Sequence, residues 1–359
     1  MKIELVTPYF HPYTGGIETV VMRLAEGLHR RGHTIIVHTG NTYPGFHGIL
    51  PKEERYKGFL IRRYRSFPFS LFLPEFSFTD SILSLHNYSA LMNDYIARRY
   101  RKQKKILTPY GTITYKRSQR KYPLLSILYD TCIGKQTLSA LDKIVAMTKY
   151  EQQSIINKYP RLRDKVITIP GGITIVKAKK ITQYTLPKRY FFSIGRIAES
   201  KRFEDVLSVL EKFPSYHFVL AGTDTGYVSH LRAIAQKKNL ADRFHYIGKV
   251  DDGEKAFLME HASVFIMPSS AEAFSIASVE AFWYSKNVVG ARSGGISEIF
   301  KEFKGALYTI GDTEELENAL RTVLTQRVSP ALKNERRKII ISKYTWEAVV
   351  EAYEKAFSA

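Results

Sequence analysis

The chain opens twice in the same way. Ile3-Glu-Leu-Val-Thr7 is a short apolar run, followed by a loop from Pro8 to Gly16 and by a helical stretch from Ile17 to Arg31. Gly32 stands directly after Arg30 and Arg31, where a helix commonly stops. At Tyr190-Phe-Phe-Ser-Ile194 the pattern restarts, with a loop over Gly195–Lys201 and a helix over Phe203–Lys212. Short apolar runs alternating with helices of this length are the signature of βαβ units, which force a parallel sheet covered on both faces. Further strands are expected at Thr34–His38, Phe59–Arg63, Ile82–Leu85, Ile106–Thr108, Lys143–Ala146 and Val166–Ile169. In the second series they are expected at His217–Ala221, Phe244–Ile247, Val264–Met267 and Asn287–Gly290. The fold class is therefore α/β, with two doubly wound Rossmann-like domains facing a cleft. They divide as residues 1–174 and 175–343, joined through the polar stretch Gly171–Lys188.

At 359 residues the chain is long for one core and suits two. No apolar run approaches the roughly 18 residues that span a bilayer. The first residues look like a strand and not like a signal peptide. The single cysteine, Cys132, excludes an internal disulfide and a cysteine-based metal cluster, which fits the cytoplasm. Net charge is +20, and it is uneven: residues 1–175 carry 27 Lys and Arg against 12 Asp and Glu, the remainder 27 against 22. The first half is thus at +15 and the second at +5. Basic surfaces of this kind attract anionic lipid, nucleic acid or phosphorylated substrates; plain solubility accounts for them as well.

Open parallel sheets bind ligands outside the carboxyl ends of their strands, and the chemistry-bearing motifs fall there. Ala262-Ser-Val-Phe-Ile-Met267 is an apolar strand ended by Pro268, and Ser278 to Tyr284 is the helix that follows. The connecting run, Glu272-Ala-Phe-Ser-Ile-Ala-Ser-Val-Glu280, places a carboxylate on either side of a helix start. The N–H groups and positive end of that helix suit an anion, whereas Glu280, about a turn inside it, suits sugar hydroxyls. A phosphorylated sugar satisfies both. Arg196 and Lys201 lie five apart in the loop after the second domain's first strand, a position from which two cations can meet a diphosphate. Gly15-Gly16 permits close approach of backbone to a ligand at another helix start, or is simply a tight turn; G-x-G-x-x-G spacing is missing. Gly294-Gly-Ile-Ser-Glu298 opens a further helix. No histidine–carboxylate spacing points to a metal, and Asp251-Asp252 is better explained as a helix N-terminus.

Taken together these residues resemble the retaining GT-B glycosyltransferases, in particular the family called GT4. The likeness rests on Gly15-Gly16-Ile-Glu18, Gly195-Arg196 with Lys201, the Glu272/Glu280 pair, Gly294-Gly295-Ile-Ser-Glu298, and Tyr344-Thr-Trp346 before the last helix. It implies that Arg196 and Lys201 hold a donor diphosphate and that Glu280 binds the ribose of a UDP- or GDP-sugar. Glu272 would lie against the donor sugar, and the backbone at Phe274, Ser275 and Ile276 would contact sugar and phosphate. Gly15 and Gly16 would approach from the first, acceptor-side domain, onto which the final segment 344–359 would cross back. No cofactor or metal is implied. Where many relatives have His-Gly after a strand, this chain has Tyr110-Gly111; Ser275 replaces a glycine, and Ser285-Lys-Asn287 a Gly-x-Pro. Tyr110 and the nearby His86 are candidates for the acceptor side.

Within the basic half, Lys116-Arg117-Ser-Gln-Arg120-Lys121 abuts the apolar run Tyr122–Tyr129, and Phe67–Phe78 is a second loop rich in proline and phenylalanine. Such segments suit a membrane interface. The expected partners are a nucleotide-sugar and a lipid-linked acceptor, for example a polyprenyl-phosphate-linked sugar, at an anionic membrane surface, with no nucleic acid. The competing readings are a sugar-nucleotide epimerase or phosphorylase of the same fold, or a non-catalytic protein that binds anionic membrane or nucleic acid.

Overall fold

The computed structural model describes residues 1–67, 71–77, 79–88, 91–111, 113, 129–284, 287–326 and 328–359, with backbone alone at 131 and 132. The basic run at 116–121, the apolar run at 122–128, part of the 67–78 loop, the Cys132 side chain and Ser285-Lys286 lie outside the described residues. The chain divides into two units: Met1–Gly172 with Trp346–Ala359, and Ile173–Thr345.

The first unit is built on eight strands: β1 Lys2–Val6, β2 Thr34–Gly40, β3 Glu53–Tyr56, β4 Phe59–Tyr64, β5 Ile82–His86, β6 Lys105–Thr108, β7 Lys143–Ala146 and β8 Val166–Thr168. Their spatial order is β3-β4-β2-β1-β5-β6-β7-β8. Among these described strands only the β3–β4 pair is antiparallel. β1 sits between β2 and β5, with Leu5 opposite Val37 on one side and Ser84 on the other. The chain thus leaves β1 in one direction and later returns on its other flank, so the sheet has its switch point between β1 and β5. Central strands such as β1 and β6 are buried along nearly their whole length. That is why they read in sequence as unbroken apolar runs. Helices α1 Gly16–Arg30, α2 Leu91–Arg99, α3 Lys135–Ser139 and α4 Lys149–Lys158 cover the sheet.

The 67–78 loop is apolar for a reason other than a membrane at two of its positions. Phe72 is fully buried in the core of this unit, and Phe76 packs edge-on against His38 and Tyr100. Phe67 and Leu73 are exposed.

In the second unit six parallel strands run β9 Tyr190–Ile194, β10 His217–Ala221, β11 Phe244–Tyr246, β12 Val264–Met267, β13 Val288–Ala291 and β14 Ala306–Tyr308. The order is β11-β10-β9-β12-β13-β14, with its switch point between β9 and β12. The helices are α5 Phe203–Leu210, α6 Val228–Lys237, α7 Asp252–His261, α8 Ile276–Tyr284, α9 Gly294–Glu302, α10 Thr313–Thr325 and α11 Pro330–Lys343. Asp251 starts α7 with a reciprocal capping box to Glu254, which accounts for the acidic pair there.

The closing helix, α12 Trp346–Ser358, belongs to the first unit. Val349, Val350, Tyr353 and Phe357 are buried, each gaining roughly 1.5–3 kcal/mol before entropy is counted. Gly27 of α1 admits it: a Cβ there would come within 2.4 Å of Val350 Cγ2. Thr108 and Tyr353 join by hydroxyls 2.9 Å apart, and Glu354 takes Arg31 and His33.

Candidate active site

Three loops of the second unit converge because β9, β12 and β13 are neighbours. At the end of β9 the backbone is pressed against the exit of β10: Gly222 has φ +136°, and a Cβ on it would meet Gly195 O at 1.7 Å. Beyond Gly195, Arg196 is exposed and Lys201 closes a short 3-10 turn, Glu199–Lys201. The next cation serves a different purpose. Arg202, left-handed at φ +51°, stands at the N-cap position of α5 and donates to Asp205 at 2.7 Å, and Asp205 also accepts from Tyr308.

Lys201 donates to Glu272 in an ion pair whose side chains are each 18% exposed. The loop that carries Glu272 is tied from both sides. Ser270 donates through N and Oγ to Ser200 O at 2.9 and 2.8 Å. From β13, Ser293 Oγ donates to Ser269 O at 2.6 Å and Gly295 N to Glu272 O at 2.8 Å. Gly294 is required for that last approach, since its φ is +40° and a Cβ would lie 2.4 Å from Glu272 O.

α8 begins at Ile276 because Ser275 caps it: Ser275 Oγ accepts from Ser278 N at 3.3 Å and meets Ser278 Oγ at 2.8 Å. Phe274 is buried and stacks on Tyr344, so its side chain anchors the loop from behind. The first N–H groups of α8, which a helix cannot satisfy internally, lie four residues along the chain from Glu272. Glu280 lies a turn further on, 3% exposed, with Oε1 accepting from Lys255 Nζ at 2.7 Å. Burial pushes the Glu280 carboxyl up, against the opposing pull of Lys255. Burial also pulls Lys255 down, but Glu280 and Asp252 outweigh it and hold the ammonium above its ordinary value. Each carboxylate of the pair therefore has its own lysine. Arg196, Lys201, Glu272, Phe274, Ser275, Ile276 and Glu280 all fall in the segments that follow the central strands β9 and β12. Lys255 was not legible as a member, because its pairing arises from the packing of α7 on α8. Among the described residues no group of three or more His, Cys, Asp or Glu could hold a metal.

In the first unit, Gly15, Gly16, His86 and Tyr110 stand at the carboxyl ends of β1, β5 and β6. Gly15 is the extended N-cap of α1, and a Cβ there would meet Glu18 Oε2 at 2.3 Å. His86 is fully buried, so it lines no surface itself. Its Nδ1 pairs with Tyr110 OH at 2.8 Å and its Nε2 with Ser84 Oγ at 3.2 Å. Burial pulls it down to about 3, leaving a neutral ring. Tyr110 and Gly111 are both left-handed, at φ +54° and +82°. A residue the sequence did not single out holds this turn: buried Glu151 in α4 accepts from Gly111 N at 2.6 Å and from Met147 N at 2.8 Å. Its one sequence signal is Thr148-x-x-Glu151, the form of a capping box, and Thr148 does cap α4.

Two parallel-sheet units with loop clusters at their strand ends define the GT-B class, and comparison with solved structures agrees. A sucrose-phosphate synthase from Thermosynechococcus elongatus superposes with a TM-score of 0.77 at 17% identity, covering 99% of both chains. Anabaena HepE, solved with UDP and glucose, gives 0.72 at 16%, covering 100% of this chain and 99% of the other. The family models "Glycosyltransferase Family 4" and "Glycosyl transferases group 1" match residues 14–177 and 176–352. The chain belongs to the family 4 glycosyltransferases, and is an enzyme of that kind. An uncharacterized glycosyltransferase of Methanocaldococcus jannaschii is 23% identical over 99% of this chain and 98% of its own. A phosphatidyl-myo-inositol mannosyltransferase of Mycobacterium tuberculosis is 22% identical over 99% and 96%.

Proposed function

We propose that the protein transfers a sugar, with retention of configuration, from a UDP- or GDP-sugar to a hydroxyl of a lipid-linked or membrane-associated acceptor. The observation that carries the donor half is the Lys201–Glu272 pair at the β9–β12 switch point, with Glu272 four residues before the start of α8. Arg196 and Lys201 hold the diphosphate and stabilise the charge that grows on it as the bond from the sugar breaks. Glu272 orients the sugar, Glu280 takes the ribose, and the N–H groups over Phe274–Ile276 meet sugar and phosphate. The acceptor oxygen bonds the anomeric carbon from the face the diphosphate leaves, and its proton passes to the departing phosphate oxygen. Gly15, Gly16 and Tyr110, backed by His86, belong to the acceptor-side unit. Thermal-shift measurement against UDP-, GDP- and ADP-sugars tests the donor, since a ligand bound only by the folded state raises its stability. No shift with any of them would overturn the reading.

The acceptor half is supported by the +15 charge of residues 1–175. A full-length relative named for phosphatidyl-myo-inositol points the same way. No helix among the described residues is long and apolar enough to cross a membrane. The basic first half carries the reading of a cytoplasmic enzyme held peripherally on the inner face. Co-sedimentation with phosphatidylglycerol vesicles is expected at low salt and lost at high salt. Equal behaviour with neutral vesicles, or no binding at low salt, would refute it.

A further inference from the structure

We infer that Lys255 is a positioning residue for the donor nucleotide, acting through Glu280 on the ribose; this rests on the donor reading above. Both side chains are withdrawn from water, Lys255 at 16% and Glu280 at 4% exposure. Burying a carboxylate alone disfavours its charged form, yet a ribose-binding group must be a charged, fixed acceptor to discriminate hydroxyls strongly. Lys255 meets that need from the neighbouring helix. It is held by Asp252 at 3.0 Å and delivers its ammonium to Glu280 Oε1 at 2.7 Å. Glu280 Oε2 carries no hydrogen bond among the described residues, so one oxygen is fixed by the protein and the other is left for a ligand hydroxyl. The Glu272–Lys201 pair differs at its carboxylate: the two lysines are alike, at 18% and 16% exposure, but Glu272 is 18% exposed against 4% for Glu280. Of the two carboxylates, Glu280 is the one withdrawn from water and in need of a fixed counter-charge.

Binding of UDP and GDP is compared with that of their 2′,3′-dideoxy forms by calorimetry. The wild type should prefer the ribose forms by about ten- to a hundredfold, the worth of one or two hydrogen bonds to a charged group. Glu280→Gln should lose most of that preference. Lys255→Met should lose it to the same degree, the double variant should lose no more than either single one, and Lys255→Arg should restore part of it. Donor KM should rise in Lys255→Met with kcat little changed. A folded Lys255→Met that keeps the full preference overturns the inference while leaving the donor reading intact, provided Glu280→Gln has lost it. If Glu280→Gln keeps it, or if neither UDP nor GDP binds the wild type, the assignment of Glu280 to ribose fails and the inference fails with it.

Discussion

Lys201 and Glu272, 71 residues apart, form an ion pair at the shared end of β9 and β12. The contact depends on Ser270, which ties the two loops through Ser200 O. Both members are only 18% exposed, so losing one partner strands the other's charge and each variant is first checked for folding by urea denaturation. In variants that fold, the loss is read in catalysis. Glu272→Gln is expected to lower kcat about a hundredfold or more with nucleotide affinity nearly intact. Lys201→Ala should lower donor hydrolysis and transfer together. Steady-state kinetics beside calorimetric UDP and GDP binding separates the two patterns; parallel loss of affinity in Glu272→Gln would point to a damaged fold.

Gly294 is the second support of Glu272. Gly294→Ala introduces a Cβ at φ +40° and 2.4 Å from Glu272 O, so either the backbone turns or the Glu272 loop retreats. The expected cost is about 1–3 kcal/mol, seen in urea denaturation, together with a kcat loss like that of Glu272→Gln. For the stability measurement alone Gly16→Ala is the control, since nothing lies within 4 Å of its Cβ position and its φ is not positive. Equal stability of Gly294→Ala and wild type would show that the loop is not held this way.

How much of this was legible in the sequence follows from which forces are local. Most strands of the two sheets were legible because burial on two faces makes them apolar throughout; β14, a three-residue edge strand buried only at Tyr308, was not expected. β3 was not: Glu53-Glu-Arg-Tyr56 is an edge strand with alternating exposure, and its only signal is the two-residue turn Lys57-Gly58, left-handed at φ +47° and +92°. α8 starts two residues before the expected Ser278, since Ser275, which stands where the resembled family usually has glycine, provides a cap. The motif residues Arg196, Lys201, Glu272 and Glu280 were visible as a set by their spacing. Lys255 was invisible because packing alone brings Glu280 to it; Glu151 showed only its local capping pattern, and its tie to Gly111, 40 residues away, arises from packing.

Tyr110→Phe removes the hydroxyl that pairs with His86 Nδ1. A buried polar atom left without a partner costs about 1–3 kcal/mol. Since burial already holds His86 down to about 3, the ring stays neutral from pH 5 to 9, and the loss should be the same across that range. Urea midpoints of the variant and wild type at several pH values test this. A loss that grows below pH 7 would mean that His86 takes up a proton there.

Glu151 should leave a pH signature of the opposite kind. Burial raises its carboxyl from 4.5 to about 7, although the N–H groups of Met147 and Gly111 pull the other way. Tyr110 and Tyr353 also face it, and neither ionises in this range because burial raises both. The folded state therefore holds a proton on Glu151 between about pH 4.5 and 7 that the unfolded chain has released. Stability from this group is complete below pH 4.5 and is lost as pH rises through about 7. The total is on the order of 3 kcal/mol, at 1.36 kcal/mol per pH unit. Glu151→Gln keeps an acceptor but cannot titrate. Wild-type stability minus that of Glu151→Gln, from urea unfolding, should fall steadily from pH 4.5 to 7 and then level off. A flat difference would show that the carboxylate is ionised throughout, and that it clamps the Tyr110-Gly111 turn as a permanent anion.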